Sequence, residues 1–130
     1  EAEHNFTAST GNTFKLALYT SSATLGASTT AYSSSNEITN TSGTAYTAGG
    51  KALTSVTPTL DSSTAVCDFA DVSWTSASFT ARGCLIFNDS HSTDASVCAI
   101  DFGGDKTATS GTFTIQFPAA AATTAIIRIA

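Results

Sequence analysis

The most regular alternation of apolar and polar side chains lies in residues 78–106. It predicts two strands, SFTARGCLIFND and ASVCAIDFGGDK, joined by the polar connection SHSTD. In the first strand one predicted face carries Phe79, Ala81, Gly83, Leu85 and Phe87. The opposite face carries Thr80, Arg82, Cys84, Ile86 and Asn88. Apolar residues on both faces are typical of a strand that is covered on both sides. Because the connection is too short for a crossover helix, the pattern predicts antiparallel pairing.

Strand-like alternation also occurs in the segments TFKLALYT, ALTSVTPTL, AVCDF, GTFTIQF and AIIRI, at residues 13–20, 52–60, 65–69, 111–117 and 125–129. Val72 and Trp74 form a brief additional segment. Gly103 and Gly104 predict a glycine turn, followed by a polar loop up to the next strand. Pro58 cannot donate to a sheet ladder, so its strand is predicted near an edge.

Three segments are less regular. Residues 30–38 fit a short helical turn or an extended edge equally well. Residues 40–50 are turn-rich, with Tyr46 expected to pack inward and Gly49-Gly50 to mark a tight reversal. Residues 1–12 are polar and predict an N-terminal arm, with Phe6 as its candidate anchor.

Short strands about ten residues apart are typical of β-sandwiches and jelly rolls. A chain of 130 residues has room for one domain with a real hydrophobic core. The sequence therefore predicts an all-β fold, a single-domain antiparallel β-sandwich that is jelly-roll-like. This domain covers residues 13–130, and the polar N-terminal arm covers residues 1–12.

The composition and net charge limit the classes of binding partner that the sequence predicts. Hydrophobic residues make up 42% of the chain and charged residues only 12%, so hydroxyl groups must supply the solubility. The net charge is −5 and the five basic residues are scattered, which predicts no nucleic-acid partner. No apolar run is long enough to predict a membrane span. The chain begins at Glu1 and lacks Met, which predicts a processed product or part of a longer chain.

The sequence gives little support for a catalytic site. The cysteines Cys67, Cys84 and Cys98 all lie within apolar strand patterns, and an odd number argues against a disulfide framework. We therefore expect buried free thiols, unsuited to a nucleophilic pair with His4. The motif DFGG at residues 101–104 occurs without any other kinase element and is interpreted as a strand that ends in a glycine turn.

Acidic side chains offer two further candidates. Asp89, His91 and Asp94 form a compact loop that either binds a cation or is a solvated turn, and the lack of regular spacing favours the turn. Asp68 and Asp71 are interpreted as turn-capping residues rather than as a catalytic pair. The sequence thus predicts no enzyme, and no catalytic, cofactor-binding or metal-binding residue is assigned.

Six segments together resemble small structural proteins from the virions of tailed bacteriophages: TFKLALYTSSATL, TAYTAGGKAL, VCDFADVSW, TARGCLIFND, AIDFGGDKTATSGTFTIQFP and AIIRI. They follow one another in the order and spacing of that group from Phe14 onward. No single segment is chemically specific, so the resemblance rests on the set. The chain departs from the group by carrying Cys where Val or Ala is expected, which is a conservative change at a buried position.

This resemblance implies a non-enzymatic capsid decoration (cement) protein on the exterior of the head, made in the cytoplasm of the bacterial host. Its implied partners are the major capsid protein and further copies of itself, as a trimer or dimer, with no nucleic acid or membrane. The alternative is a tail or fibre component for host attachment, including one that binds carbohydrate. Sugar binding would need exposed aromatic rings, for which Tyr19, Tyr32, Tyr46 and Trp74 are the candidates.

Overall fold

The computed structural model describes residues 3–39 and 45–130, and this part of the chain contains seven strands and no helix. The strands are β1 (Phe14–Tyr19), β2 (Lys51–Ala52), β3 (Ser55–Asp61), β4 (Thr64–Phe69), β5 (Val72–Asn88), β6 (Ala95–Ile115) and β7 (Ile127–Ile129). They form two antiparallel sheets, with strand orders β2-β1-β5-β6 and β3-β4-β7. The predicted all-β class is therefore confirmed. The same residues contain no helix that could span a membrane.

The predicted central strand pair is confirmed as β5 and β6, and both strands are longer than predicted. Val72 and Trp74 belong to the start of β5 rather than to a separate segment. The polar loop predicted after Gly104 is wrong, because β6 continues to Ile115. As the outermost strand of its sheet, β6 can expose polar side chains to solvent, which made this stretch look like a loop.

The strict alternation predicted for β5 is wrong beyond Ala81. Phe79 and Ala81 share one core with Cys84 and Ile86, whereas Leu85 faces the other side of the sheet. The cause is a bulge in the ladder, because Ala81 pairs with Lys106 but Gly83 pairs with Asp101. Extra β6 residues are thus accommodated opposite Arg82, with Gly103 at a φ of 73° that glycine adopts freely.

The four-stranded sheet carries a buried apolar cluster on each face, as its two-sided apolar pattern predicted. One face carries the larger cluster, which includes Phe14, Leu16, Leu18, Tyr46, Phe69, Trp74, Phe79, Ile86 and Phe113. The other face carries Ala17, Tyr19, Leu85 and Phe87, covered by Ala23, Leu25 and Tyr32. Strand β1 contributes to both clusters with the predicted alternation.

The described part of the predicted arm is packed against the sheets. The ring of Phe6 stacks on that of Phe14, with centroids 4.6 Å apart and an interplanar angle of 6°. The Asn88 side-chain amide donates to the Glu3 carbonyl at 2.9 Å, and the Asn12 amide donates to the Asn5 carbonyl at 2.8 Å. Phe6 is therefore an anchor, and residues 3–12 form a closed loop on the domain.

Residues 30–38 contain no helix and touch the sheet through two isolated bridges, Tyr19 to Glu37 and Ala31 to Ala95. The extended alternative is therefore the better description. Tyr46 is fully buried, as predicted. Gly50 has a φ of 72°, and a Cβ there would collide with the Leu16 carbonyl, which confirms the predicted reversal. Residues 40–44 of the predicted turn-rich segment lie outside the described residues.

Strand β3 lies at the edge of its sheet, as Pro58 predicted, although it starts at Ser55. The cysteines are free, as predicted, but only Cys84 is fully buried. Cys67 and Cys98 are half-buried, so uniform burial is wrong. Cys67 alternates with the buried residues of β4, and Cys98 lies on the edge strand β6. Burial raises the pKa of the Cys84 thiol to about 12.

Leu85→Ala should destabilise the protein by about 2–5 kcal/mol, because Leu85 is fully buried between the sheet and its covering loop. Urea denaturation followed by Trp74 fluorescence measures the change. Leu60→Ala is the matched control, since Leu60 is 71% exposed and should lose less than about 0.5 kcal/mol. Equal losses in the two variants would contradict the assigned cores.

Thiol labelling should distinguish the three cysteines in the native protein. Cys84 should react only after denaturation, because its thiol is buried and its raised pKa leaves almost no thiolate. Cys67 and Cys98 should react earlier, although burial raises the pKa of both. Mass spectrometry of maleimide-treated protein measures the order, and early modification of Cys84 would overturn it.

Candidate assembly surface

Two of the three candidate side chains in the Asp89–Asp94 loop, those of Asp89 and His91, are already engaged. The Lys15 ammonium lies 2.8 Å from the Asp89 carboxylate, and His91 Nδ1 lies 3.0 Å from Thr93 Oγ1. The Asp94 amide donates to the His91 carbonyl at 2.9 Å, which closes a turn. Across residues 3–39 and 45–130, no group of three or more His, Cys, Asp or Glu side chains is arranged to hold a metal ion.

His4 packs against two aromatic rings. Its ring centroid is 5.9 Å from that of Phe6 and 6.0 Å from that of Phe14. Its Nδ1 is 3.3 Å from the Asn88 side-chain nitrogen. His4 therefore helps to pack the N-terminal loop onto the end of β5.

Asp68 and Asp71 have separate structural roles. Asp71 accepts a 2.9 Å hydrogen bond from the amide of Phe117, so it caps a distant segment rather than a local turn. Asp68 accepts a bond from the amide of Phe69 at 2.8 Å, but its second oxygen is buried without a partner. Burial raises the pKa of Asp68, and the charge of Asp71 adds to that increase. An unpaired carboxylate oxygen in this position destabilises the fold.

A buried carboxylate that the sequence did not indicate holds the segment before β2 against β1. Glu37 accepts hydrogen bonds from the hydroxyls of Tyr46 at 2.5 Å and Tyr32 at 2.6 Å, and from the Gly49 amide at 2.8 Å. The Tyr46 hydroxyl in turn accepts from the Leu18 amide at 3.0 Å. Burial and the nearby carboxylate raise the pKa of both tyrosines. A lone acid in a Ser-rich stretch gave no signal for this role.

The four aromatic candidates for sugar binding are not free platforms. Tyr19, Tyr46 and Trp74 are buried. Tyr32 stacks on Phe87 at a centroid distance of 4.7 Å, and its hydroxyl is bound to Glu37. Stacking of a sugar ring needs an open aromatic face, which the three buried rings do not provide, and Phe87 covers one face of the partly exposed Tyr32 ring.

A shallow polar depression lies between residues 19–26 and the β5–β6 pair, with a volume of about 340 Å³. Its charged wall is the ion pair between Arg82 and Asp101, with 2.9 Å between Nε and Oδ1. The hydrogen bond from Arg82 lowers the pKa of Asp101. Exposed pairs of this kind contribute little to stability, and the hydroxyl-bearing residues Thr20 and Ser21 also line the depression.

The solvent-facing side of the three-stranded sheet is unusually apolar. Leu60 pairs with Ala65, and Ala65 pairs with Ile129, so these residues form one row across β3, β4 and β7. Leu60 is 71% exposed and Ile129 is 70% exposed. The half-buried pair Cys67 and Ile127 lies beside them. We call Leu60, Ala65 and Ile129 the apolar row. Because the outer face of an antiparallel sheet is normally polar, the apolar row indicates an interaction surface.

An apolar groove lies along the outer strand of the other sheet. Its volume is about 590 Å³, and its apolar lining residues are Ile100, Phe102, Phe113, Ile115, Phe117, Pro118 and Ile126. It runs from β6 to the residues that lead into β7. Lys106 is the one charged residue in its lining. The apolar row thus lies on an exposed face of the three-stranded sheet. The apolar groove lies along β6, at the edge of the four-stranded sheet.

Comparison of the chain with protein-family models, with curated proteins and with solved structures gave no match. These comparisons therefore assign no role to the chain.

Asp68→Asn should stabilise the protein at neutral pH by about 1 kcal/mol, because it removes a buried charge that lacks a partner. The pKa of Asp68 is raised in the folded state, so the stabilisation from its protonated form is present below its ordinary pKa of 3.8 and is lost as pH rises. The advantage of the variant should therefore vanish towards pH 3. Urea denaturation across this pH range provides the measurement, with Asp105→Asn, at an exposed site, as the control. A constant difference at all pH values would contradict this cause.

Proposed function

We propose that this protein is a non-enzymatic structural component of a tailed-bacteriophage virion, a capsid decoration (cement) protein that binds the outside of the head. The resemblance of its sequence segments to that group motivates the assignment. The two antiparallel sheets support it, since a rigid all-β domain suits a passive part of a shell. In this proposal the sheets pack as a jelly-roll-like β-sandwich.

The apolar row on the three-stranded sheet is the observation that carries the proposal. Full burial of a Leu or Ile side chain contributes about 1.5–3 kcal/mol, so Leu60 and Ile129 favour a docked state. Strands about 4.8 Å apart make the row only roughly 10 Å long, so it covers far less than the area of about 800 Å² that each partner buries in a stable complex. A weak contact of this size becomes effective when it is repeated over a lattice and several copies bind together.

The partners in this proposal are the major capsid protein and further copies of the chain, as a dimer or trimer at local symmetry axes. A protein made in the host cytoplasm would join the head from outside. The net charge of −5 disfavours contact with packaged DNA, which agrees with an external position. Residues 3–12 are packed on the domain, so the apolar row, and not this segment, is the proposed contact with the capsid.

Leu60→Ser combined with Ile129→Ser should weaken binding to stripped phage heads by about tenfold or more, because both exposed anchors of the row are lost. Co-sedimentation with heads of the phage that encodes the chain measures binding, and mass spectrometry of purified virions measures copy number. Val56→Ser is the matched control, since Val56 is an exposed apolar residue of β3 whose register partner, Asp68, lies on the inner face.

Head binding that is unchanged in the double variant would reject the row as the anchor. A copy number near that of the capsid protein is expected for decoration. Binding to tails or to host cells, with no binding to heads, would replace decoration with the tail or fibre alternative. Absence of the chain from purified virions would reject the virion assignment itself.

A further inference from the structure

Strand β6 ends the four-stranded sheet, so in the described part of the chain one of its edges has no partner strand over most of its length. At its start the edge is covered by residues 30–32, through hydrogen bonds from the Ser96 amide to Thr30 and from the Tyr32 amide to Asp94. Beyond Ser96, no strand within residues 3–39 and 45–130 pairs with this outer edge. An exposed edge of this length can pair with another chain.

The two halves of the edge differ in protection. Residues 101–106 carry the charges of Asp101, Asp105 and Lys106 and the bulge at Gly103, which are common devices against edge pairing. Residues 111–117, GTFTIQF, contain no charge and no proline. We call residues 111–117, which are the last five residues of β6 and the two that follow it, the open edge.

Hydrogen-bond directions along the open edge follow from one contact. The Phe117 amide donates to Asp71, which immediately precedes β5, so this amide points towards β5. Successive amides of an extended strand point to opposite sides, so Thr114 and Gln116 direct their amides and carbonyls outward. Thr112 does the same. The intervening side chains, Phe113, Ile115 and Phe117, line the apolar groove.

We propose that two copies of this chain pair through their open edges, antiparallel about a two-fold axis at Thr114. Thr114 then faces Thr114 of the second copy, and Phe113 faces Ile115 of the second copy. Thr112 faces Gln116 of the second copy. The pairing joins the two four-stranded sheets into one.

A second copy suits this edge for electrostatic and packing reasons. Each copy carries a net charge of −5, and the open edge is a neutral strip where two such molecules can meet without like charges in contact. Cross-strand pairs between aromatic and β-branched side chains, and between threonines, favour antiparallel pairing. The groove side chains of each copy also become neighbours of those of the other. A two-fold contact consumes both edges and closes, so it forms a dimer rather than a fibre.

This pairing specifies the self-association included in the proposed function, and it would form in the isolated protein without capsids. Its failure would therefore leave head binding through the apolar row untouched. Conversely, a protein that dimerises but binds no heads would retain the pairing and lose the virion role.

Thr114→Pro should weaken dimerisation by at least about tenfold, because it removes an outward amide on each copy and blocks the added strand. Proline is tolerated on an edge where the amide faces solvent, so the domain should stay folded, which circular dichroism checks. Thr114→Val is the matched control: it also loses the 2.8 Å contact between Thr114 and the Ser73 hydroxyl but keeps the amide. Sedimentation equilibrium over roughly 1 µM to 1 mM measures the dimer.

A pair of charge variants tests the register and does not depend on proline. Thr112→Lys with Gln116→Lys places like charges opposite each other across the two-fold axis and should abolish the dimer. Thr112→Lys with Gln116→Glu places opposite charges there and should retain it. A wild-type protein that stays monomeric over the whole range would overturn the proposal. So would a dimer that survives both Thr114→Pro and the double lysine variant.

Discussion

The long antiparallel pairing of β5 with β6 is the interaction on which the rest of the structure depends. It spans Val72 to Asn88 on one strand and Ala95 to Ile115 on the other. Strand β1 adds to the opposite edge of β5, and β2 adds to β1. The bulge opposite Arg82 coincides with a change in which alternate side chains of β5 face each core. Without that shift, Cys84 and Ile86 would leave the larger cluster.

Buried polar groups act in opposite ways in the two sheets. Glu37 receives three donors, from Tyr46, Tyr32 and Gly49, so its burial ties an irregular segment firmly to β1. Asp68 in the smaller sheet keeps one oxygen without a partner. Among the described residues, the four-stranded sheet also has a buried hydroxyl without a partner, at Ser96, while the smaller sheet contains the uncompensated Asp68 oxygen and exposes apolar side chains.

The exposed apolar surfaces give the molecule its proposed role. The polar depression near Arg82 is lined by an exposed ion pair and by the hydroxyl-bearing residues 19–21. The apolar row at Leu60, Ala65 and Ile129 and the groove beside β6 are better suited to contact with other proteins. One is a sheet face and the other a sheet edge, so both can be occupied together. A small domain with two such surfaces can bridge a lattice and a second copy.

Local alternation in the sequence determined the all-β class, the positions of most strands, the faces of β1 and the antiparallel pairing of β5 with β6. Pro58 and the Gly49-Gly50 pair were informative because their backbone restrictions act locally. The tertiary structure decided the features that depend on distant residues. The bulge needs β6 opposite Arg82, and the continuation of β6 through polar residues needs an edge position. The role of Glu37 needs tyrosines brought together from separate segments, and the apolar row needs three strands in register. Alternation reports which side of its own strand a residue occupies, and only the assembled sheets decide whether that side meets a core, water or another protein.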